Sequence, residues 1–147
     1  MFGKNSRYSL NESLGYVASQ ASRRILKRIN QELSRRGNAL SSKQFQILSH
    51  LHDQDGQAQF MLADTLYKDR SALAKEVSSL EALGFVTRKA GQRDSREKAV
   101  FLTEQGAAIA SELTDFVQDI LDSAQQGIAE QDIQTCKEVL RRFYRQL

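Results

Sequence analysis

Residues Asp69–Arg88 read DRSALAKEVSSLEALGFVTR, and the rest of the chain is best read outward from them. Asp69 stands where a side-chain oxygen can cap a helix, and Gly84 stands where a left-handed residue can end one. Between them Leu73, Val77, Leu80 and Leu83 recur at three- and four-residue intervals, which predicts a helix with one apolar face over residues 70–83. The opposite face carries Arg70, Ser71, Ala74, Lys75 and Ser78. Two cations among short side chains allow close approach to a polyanion. In a major groove Arg or Lys can donate to guanine O6 and N7, and the helix N-terminus presents backbone N–H groups to a phosphate. Taken alone, the segment is better read as an ordinary amphipathic surface helix.

The following residues change the balance. FVTRKA (85–90) and KAVFLT (98–103) read as two short strands joined by the polar GQRDSR (91–96). This hairpin carries Arg93 and Arg96 at its tip, with Arg88, Lys89 and Lys98 on its strands. A cationic hairpin directly after a helix-turn-helix is a wing, suited to the negative potential of a narrow minor groove. Asp94, an anion at that tip, suits an internal role, bracing Arg96 or the turn backbone.

Upstream, Ser41 and Gln44 offer a capping box opening a helix with Phe45, Leu48 and Leu51 on its inner face. HDQDGQAQ (52–59) reads as a loop and FMLADTLY (60–67) as a short helix. Farther out, Ser9 and Glu12 suggest another capping box before a helix running to Arg36. Leu10, Leu14, Val17, Ala21, Ile25, Ile29 and Leu33 form its stripe. At 1.5 Å per residue that helix spans roughly 40 Å, about the diameter of a compact domain of this size. Such a stripe needs a second surface. Thr103 can cap a late helix containing Leu113, Phe116, Val117, Ile120, Leu121 and Ala124. After a break near Gly127, Ile133, Cys136, Leu140, Phe143 and Leu147 form a final stripe. Long terminal helices with apolar faces read as a dimerisation module.

The 147 residues suffice for one domain with a real core, and the absence of proline permits long helices. No apolar run is long enough for a membrane span, and the N-terminus lacks the apolar core of a signal peptide. The single cysteine excludes an intrachain disulfide and fits a reducing cytoplasm. Charge is uneven. Residues 1–52 hold nine Lys/Arg against two Asp/Glu, a balance of +7, whereas residues 112–138 hold one against seven, or −6. A basic front and an acidic back suggest a polyanionic partner on one side.

The segment Asp69–Arg88, the DSR of Asp94–Arg96 and VFLTEQG of Val100–Gly106 together resemble the MarR family of transcriptional regulators. LSSKQFQIL (40–48) and the closing AEQDIQTCKEVLRRFYRQL (129–147) sit where that family has similar patterns. The resemblance covers essentially the whole chain, through the order and spacing of motifs that are individually weak. It implies a dimeric winged-helix DNA-binding regulator, usually a repressor, released by a small molecule or by thiol oxidation. It places Arg70, Ser71, Ala74, Lys75 and Ser78 on the recognition helix, and Asp94 and Arg96 in the wing motif with Arg93 beside them. Many members carry a proline or a second arginine in the wing; here the middle position of the motif is Ser95.

Other candidates carry less. His50 and His52, two apart, fall on different helix faces, so with Asp53 and Asp55 they make a poor metal site, and no metal or cofactor is expected. Cys136 on an apolar stripe reads as a buried structural cysteine rather than a redox sensor. Asp119 and Asp122 read as solubilising surface. No phosphate loop, nucleophile motif, CxxC or HExxH pattern points to an enzyme. Tyr16, Phe45, His50 and Tyr67 are candidates to line an effector pocket between the dimer helices and the winged helix, with core packing the better reading for most of them.

The expectation is a mainly α chain, 1–147, forming one winged helix-turn-helix domain with a two-stranded β-hairpin wing. Residues 41–103 would be the DNA-binding unit, and 10–36 and 104–147 the dimerisation helices. The expected function is that of a cytoplasmic homodimeric regulator binding palindromic double-stranded DNA and answering to a small-molecule effector. The alternatives are a helical protein–protein adaptor and a redox regulator acting through Cys136.

Overall fold

A computed structural model describes residues 8–37, 40–66, 69–91 and 97–147. It contains helices α1 (Leu14–Arg35), α2 (Ser42–Asp53), α3 (Gln59–Thr65), α4 (Arg70–Ala82), α5 (Glu104–Ala124) and α6 (Glu130–Tyr144). Three strands, β1 (Gln57–Ala58), β2 (Val86–Ala90) and β3 (Lys98–Leu102), form an antiparallel sheet in the order β1-β3-β2. The chain divides into two compact units, Met1–Ala110 and Ser111–Leu147.

Local chemistry sets most boundaries in the first unit. Ser41 Oγ accepts from Gln44 N–H at 3.2 Å and Gln44 Oε1 accepts from Ser41 N–H at 3.1 Å, the expected capping box. Asp69 Oδ1 accepts from Ala72 N–H at 2.7 Å and opens α4. Gly84 closes that helix at φ +80°. The Thr103 hydroxyl accepts from Gly106 N–H at 3.0 Å while donating to Gly84 O at 2.6 Å, so one side chain joins the end of α4 to the start of α5.

The core is shared by α2, α3, α4 and the sheet. Ile47, Leu48, Leu51, Leu62, Leu73, Val77, Leu80, Val86 and Val100 are all buried. Sequestering each such side chain is worth roughly 1.5–3 kcal/mol, which is why these elements form one body. Gln44 adds a polar tie, its Nε2 donating to Ser79 Oγ at 3.1 Å. Beside them, the C-terminal end of α1 buries Ile29 and Leu33, and Asn30 Oδ1 accepts from Ser42 N–H at 3.1 Å. Glu32 is also buried there, held by Arg35 Nη2 at 3.0 Å and Arg36 Nε at 3.2 Å. Desolvation raises its pKa, but the two guanidinium groups outweigh that effect and hold the carboxyl below the usual glutamate value.

Several details differ from expectation. Ser9 makes no side-chain cap; a 3₁₀ turn spans Leu10–Glu12. Ser13 caps α1 instead, its Oγ accepting from Tyr16 N–H at 3.2 Å. The C=O of Leu10 already accepts from both the Ser13 backbone N–H and its hydroxyl, so the chain turns before the helix begins. Leu83 is exposed, because it lies past the last turn of α4 where Gly84 reverses the chain. Gln57 and Ala58, read as loop, add a third strand against Val100 and Ala99. Pairing with β3 supplies backbone partners that a two-stranded hairpin would leave to water on that edge.

Terminal stripes are only partly covered. Leu10, Leu14 and Val17 at the start of the first unit are exposed. In the second unit, α6 has no buried residue. Cys136, expected to be buried, is exposed, while its stripe neighbours Ile133 and Leu140 are only half-buried. Gly127 at φ +82° makes the expected break before it.

Candidate nucleic-acid interface

Helix α4 presents two faces, as its spacing dictates. Leu73, Val77 and Leu80 are fully buried. On the other side Arg70, Ser71, Lys75 and Ser78 are exposed and Ala74 is half-buried. This side opens on a groove of about 460 Å³ lined by Gln59, Ser71, Ala74, Lys75, Ser78, Arg88 and Lys98. Three elements meet there: the start of α3, the outer face of α4 and the base of the wing. Arg70 lies farther along, its guanidinium 5.7 Å from the centroid of the Phe60 ring, which steadies a long cation by cation–π attraction.

The pleat of β2 divides the wing-base cations. Val86, Arg88 and Ala90 point to one side and Thr87 and Lys89 to the other. Because Val86 is buried, Arg88 lies on the helix side of the sheet. Its Nε donates to Gln59 Oε1 at 3.0 Å, and its Nη2 donates to Ala74 O at 2.7 Å and to Ser78 Oγ at 2.9 Å. Nη1 stands 3.9 Å from Glu81 Oε1, and Glu81 Oε2 accepts from the Arg88 backbone N–H at 3.2 Å. Lys89, on the other face, places Nζ 4.8 Å from the Phe101 ring centroid. Lys98 lines the groove mouth and is exposed.

The structure therefore gathers Arg70, Ser71, Ala74, Lys75 and Ser78 on one surface, with Arg88 folded in behind it and Lys89 turned away. Arg93, Asp94 and Arg96 lie outside the described residues. Gln59 and Lys98 join the groove, although sequence reasoning does not select them as site residues. Lys98 carries a signal, as a cation on a wing strand. Gln59 carries none, since its place depends on a contact with Arg88, 29 residues away.

The four effector-pocket candidates lie on different parts of the chain. Phe45 is buried in the core, Tyr16 and His50 are half-buried on different helices, and Tyr67 lies outside the described residues. A groove of about 660 Å³ runs along α1, lined by Arg23, Leu26, Lys27, Asn30, Gln31 and Ser34, and contains none of them. Among the described residues no three His, Cys, Asp or Glu side chains form a metal-sized cluster, and no helix is long and apolar enough to cross a membrane.

Comparison with known proteins adds a family likeness and a fold. Residues 40–97 match the model of the MarR family. A MarR-family transcriptional regulator from Rhodococcus sp. RHA1 superposes with a TM-score of 0.81 at 24% identity, covering 94% of this chain and 96% of that one. CouR from Rhodococcus jostii RHA1, bound to p-coumaroyl-CoA, gives 0.80 at 23% identity over 94% and 95%. S. aureus MepR in a DNA complex gives 0.78 at 20% identity over 92% and 98%. No curated protein sequence matches the chain. These likenesses establish the mainly helical winged-helix fold.

Proposed function

We infer, from the match of residues 40–97 to the MarR family model and from the shared winged-helix fold, that the protein is a DNA-binding transcriptional regulator of that family. It binds double-stranded DNA sequence-specifically, as a homodimer on a palindromic operator in the cytoplasm. The observation that carries this reading is the outer face of α4. Its small polar residues and two cations are exposed beside the wing base, while Leu73, Val77 and Leu80 hold the helix to the core. Lys75 and Arg70 are the candidates for base edges. The wing residues Arg93 and Arg96 are assigned to the minor groove, with Asp94 as their brace. Lys89 is assigned to phosphate.

Dimer contacts are assigned to the helices flanking the winged unit, residues 10–36 and 104–147. The uncovered Leu10, Leu14 and Val17 of the first unit support this assignment, as does the stripe of α6 in the second, where no residue is fully buried and Cys136 and Phe143 are exposed. A small-molecule effector that lowers DNA affinity completes the reading, supported by the match to the MarR family model and by the ligand-bound structure of CouR. Tyr16, Phe45, His50 and Tyr67 stay as pocket candidates, Phe45 the least suited because it is core.

Selection of bound sequences from random DNA tests the proposal. The expected result is an inverted repeat with half-sites about 10–10.5 bp apart or a multiple of that. Affinity should fall steeply with salt as phosphate counterions are released. Absence of enrichment, or salt-insensitive binding, contradicts the reading. Exposure of Cys136 favours testing one second reading, redox control. A Cys136→Ser variant whose DNA binding answers peroxide as the parent's does removes it.

A further inference from the structure

Arg88 sits on a wing strand, where a DNA contact is expected, yet its guanidinium is directed inward. The fork offers five N–H donors. Those of Nε and Nη2 are taken by Gln59 of α3 and by Ala74 and Ser78 of α4, and Nη1 faces Glu81 near the end of α4. Only 20% of the side chain is exposed. Lysine could not reproduce this arrangement, since its donors radiate from one nitrogen while these acceptors are spread along a planar fork.

We propose that Arg88 is a positioning residue for operator discrimination. It fixes the reading helix α4 against wing strand β2 and the start of α3 and makes no phosphate or base contact of its own. The proposal rests on the DNA-binding reading above. Two features support an orienting role beyond ordinary packing. The anchors Ala74 and Ser78 are themselves members of the α4 face, so the fork acts on the surface that meets the groove. The core leucines already hold α4 from behind, so the fork adds orientation more than burial.

The test compares wild type with Arg88→Lys, which keeps the charge and loses the fork. Specific and non-specific DNA affinities are measured across a salt series. A brace predicts that the ratio of specific to non-specific affinity falls roughly tenfold, the scale of one mismatched base pair. The salt slope should stay unchanged. A loss of folded protein would lower both affinities together and leave the ratio intact, which separates orientation from stability. Gln59→Ala, which removes one arm of the fork without altering Arg88, should lower the same ratio by a smaller factor. That variant decides the matter if Arg88→Lys does not fold, and a parental ratio in it then overturns the proposal. An Arg88→Lys protein with the parental ratio overturns it directly. So does a slope reduced by roughly 0.9 in Arg88→Ala but not in Arg88→Lys, the signature of a lost phosphate contact. A wild-type chain with no preferred sequence refutes the DNA-binding reading itself.

Discussion

Gly106 offers a direct test of how the wing is joined to α5. A Cβ built on it would stand 1.9 Å from the Phe85 carbonyl oxygen and 2.8 Å from its carbon. A carbon–oxygen contact needs roughly 3.3 Å, so Gly106→Ala must move the backbone by more than an ångström. That carbonyl accepts from Thr103 N–H at 3.0 Å, and Thr103 also ties Gly84 to Gly106. Relaxation therefore strains the whole junction between α4, β3 and α5. Overpacking costs about 1–3 kcal/mol and a weakened hydrogen bond about 1 kcal/mol. The better helix propensity of alanine returns up to about 1 kcal/mol. The net expectation is a loss of about 1–3 kcal/mol. At about 2–4 °C per kcal/mol for a chain of this size, Tm falls by roughly 2–12 °C. Thermal melts at fixed chain concentration measure it, because the proposed dimer would make Tm concentration-dependent. Gly15→Ala is the control: nothing lies within 4 Å of its Cβ on exposed α1, so Tm should hold or rise. A Gly106→Ala protein as stable as the parent would refute the reasoning.

Other expectations follow from the same geometry. Asp69→Ala removes the oxygen that caps α4 and should cost about 1 kcal/mol in denaturant melts, with weaker DNA binding as the helix start frays. Lys75→Ala should change the selected sequence more than Lys89→Ala, which should weaken all sequences alike; equal, sequence-independent losses would contradict the groove assignment. Arg96→Ala should weaken DNA binding by several-fold while leaving the dimer intact by sedimentation, in keeping with one lost minor-groove cation. For Glu32, whose pKa is lowered on folding, the unfolded chain binds the proton more readily. Its contribution is therefore complete above the ordinary glutamate pKa and lost as pH falls through the lowered value. Glu32→Gln should flatten the acid side of the stability–pH curve; an unchanged curve would show that the arginine clamp does not contribute.

What is legible in the sequence is what is decided locally. The capping box of Ser41 and Gln44, the Asp69 cap, the Gly84 stop and the alternating faces of α4 each need only a few adjacent residues, and each forms as expected. Where two local solutions compete, as between Ser9 and Ser13, the pattern alone does not choose. Strand β1 escapes such reading because its partner lies over 40 residues away and two residues carry little periodicity. The inward turn of Arg88 escapes it for a similar reason: the sequence shows a cation on a wing strand, but its acceptors come from other stretches of chain. Cys136 defeats it because an apolar stripe reports a tendency to be covered, not that the same chain supplies the cover.

Two consecutive serines on α4 are tied from different sides. Ser78 Oγ accepts from Arg88 of the wing strand, and Ser79 Oγ accepts from Gln44 of α2. Successive residues on a helix point about 100° apart, so these two anchors fix its rotational phase as well as its position. A helix pinned at one azimuth can still roll; one pinned at two cannot roll without breaking a bond. Which side chains face a base edge is a question of phase, because a roll of one residue's width would replace Lys75 with Glu76 or Ala74 at the front. Gln44, fastened at the same time to the start of α2, therefore makes that helix one shaft through which a twist can reach the outer face of α4.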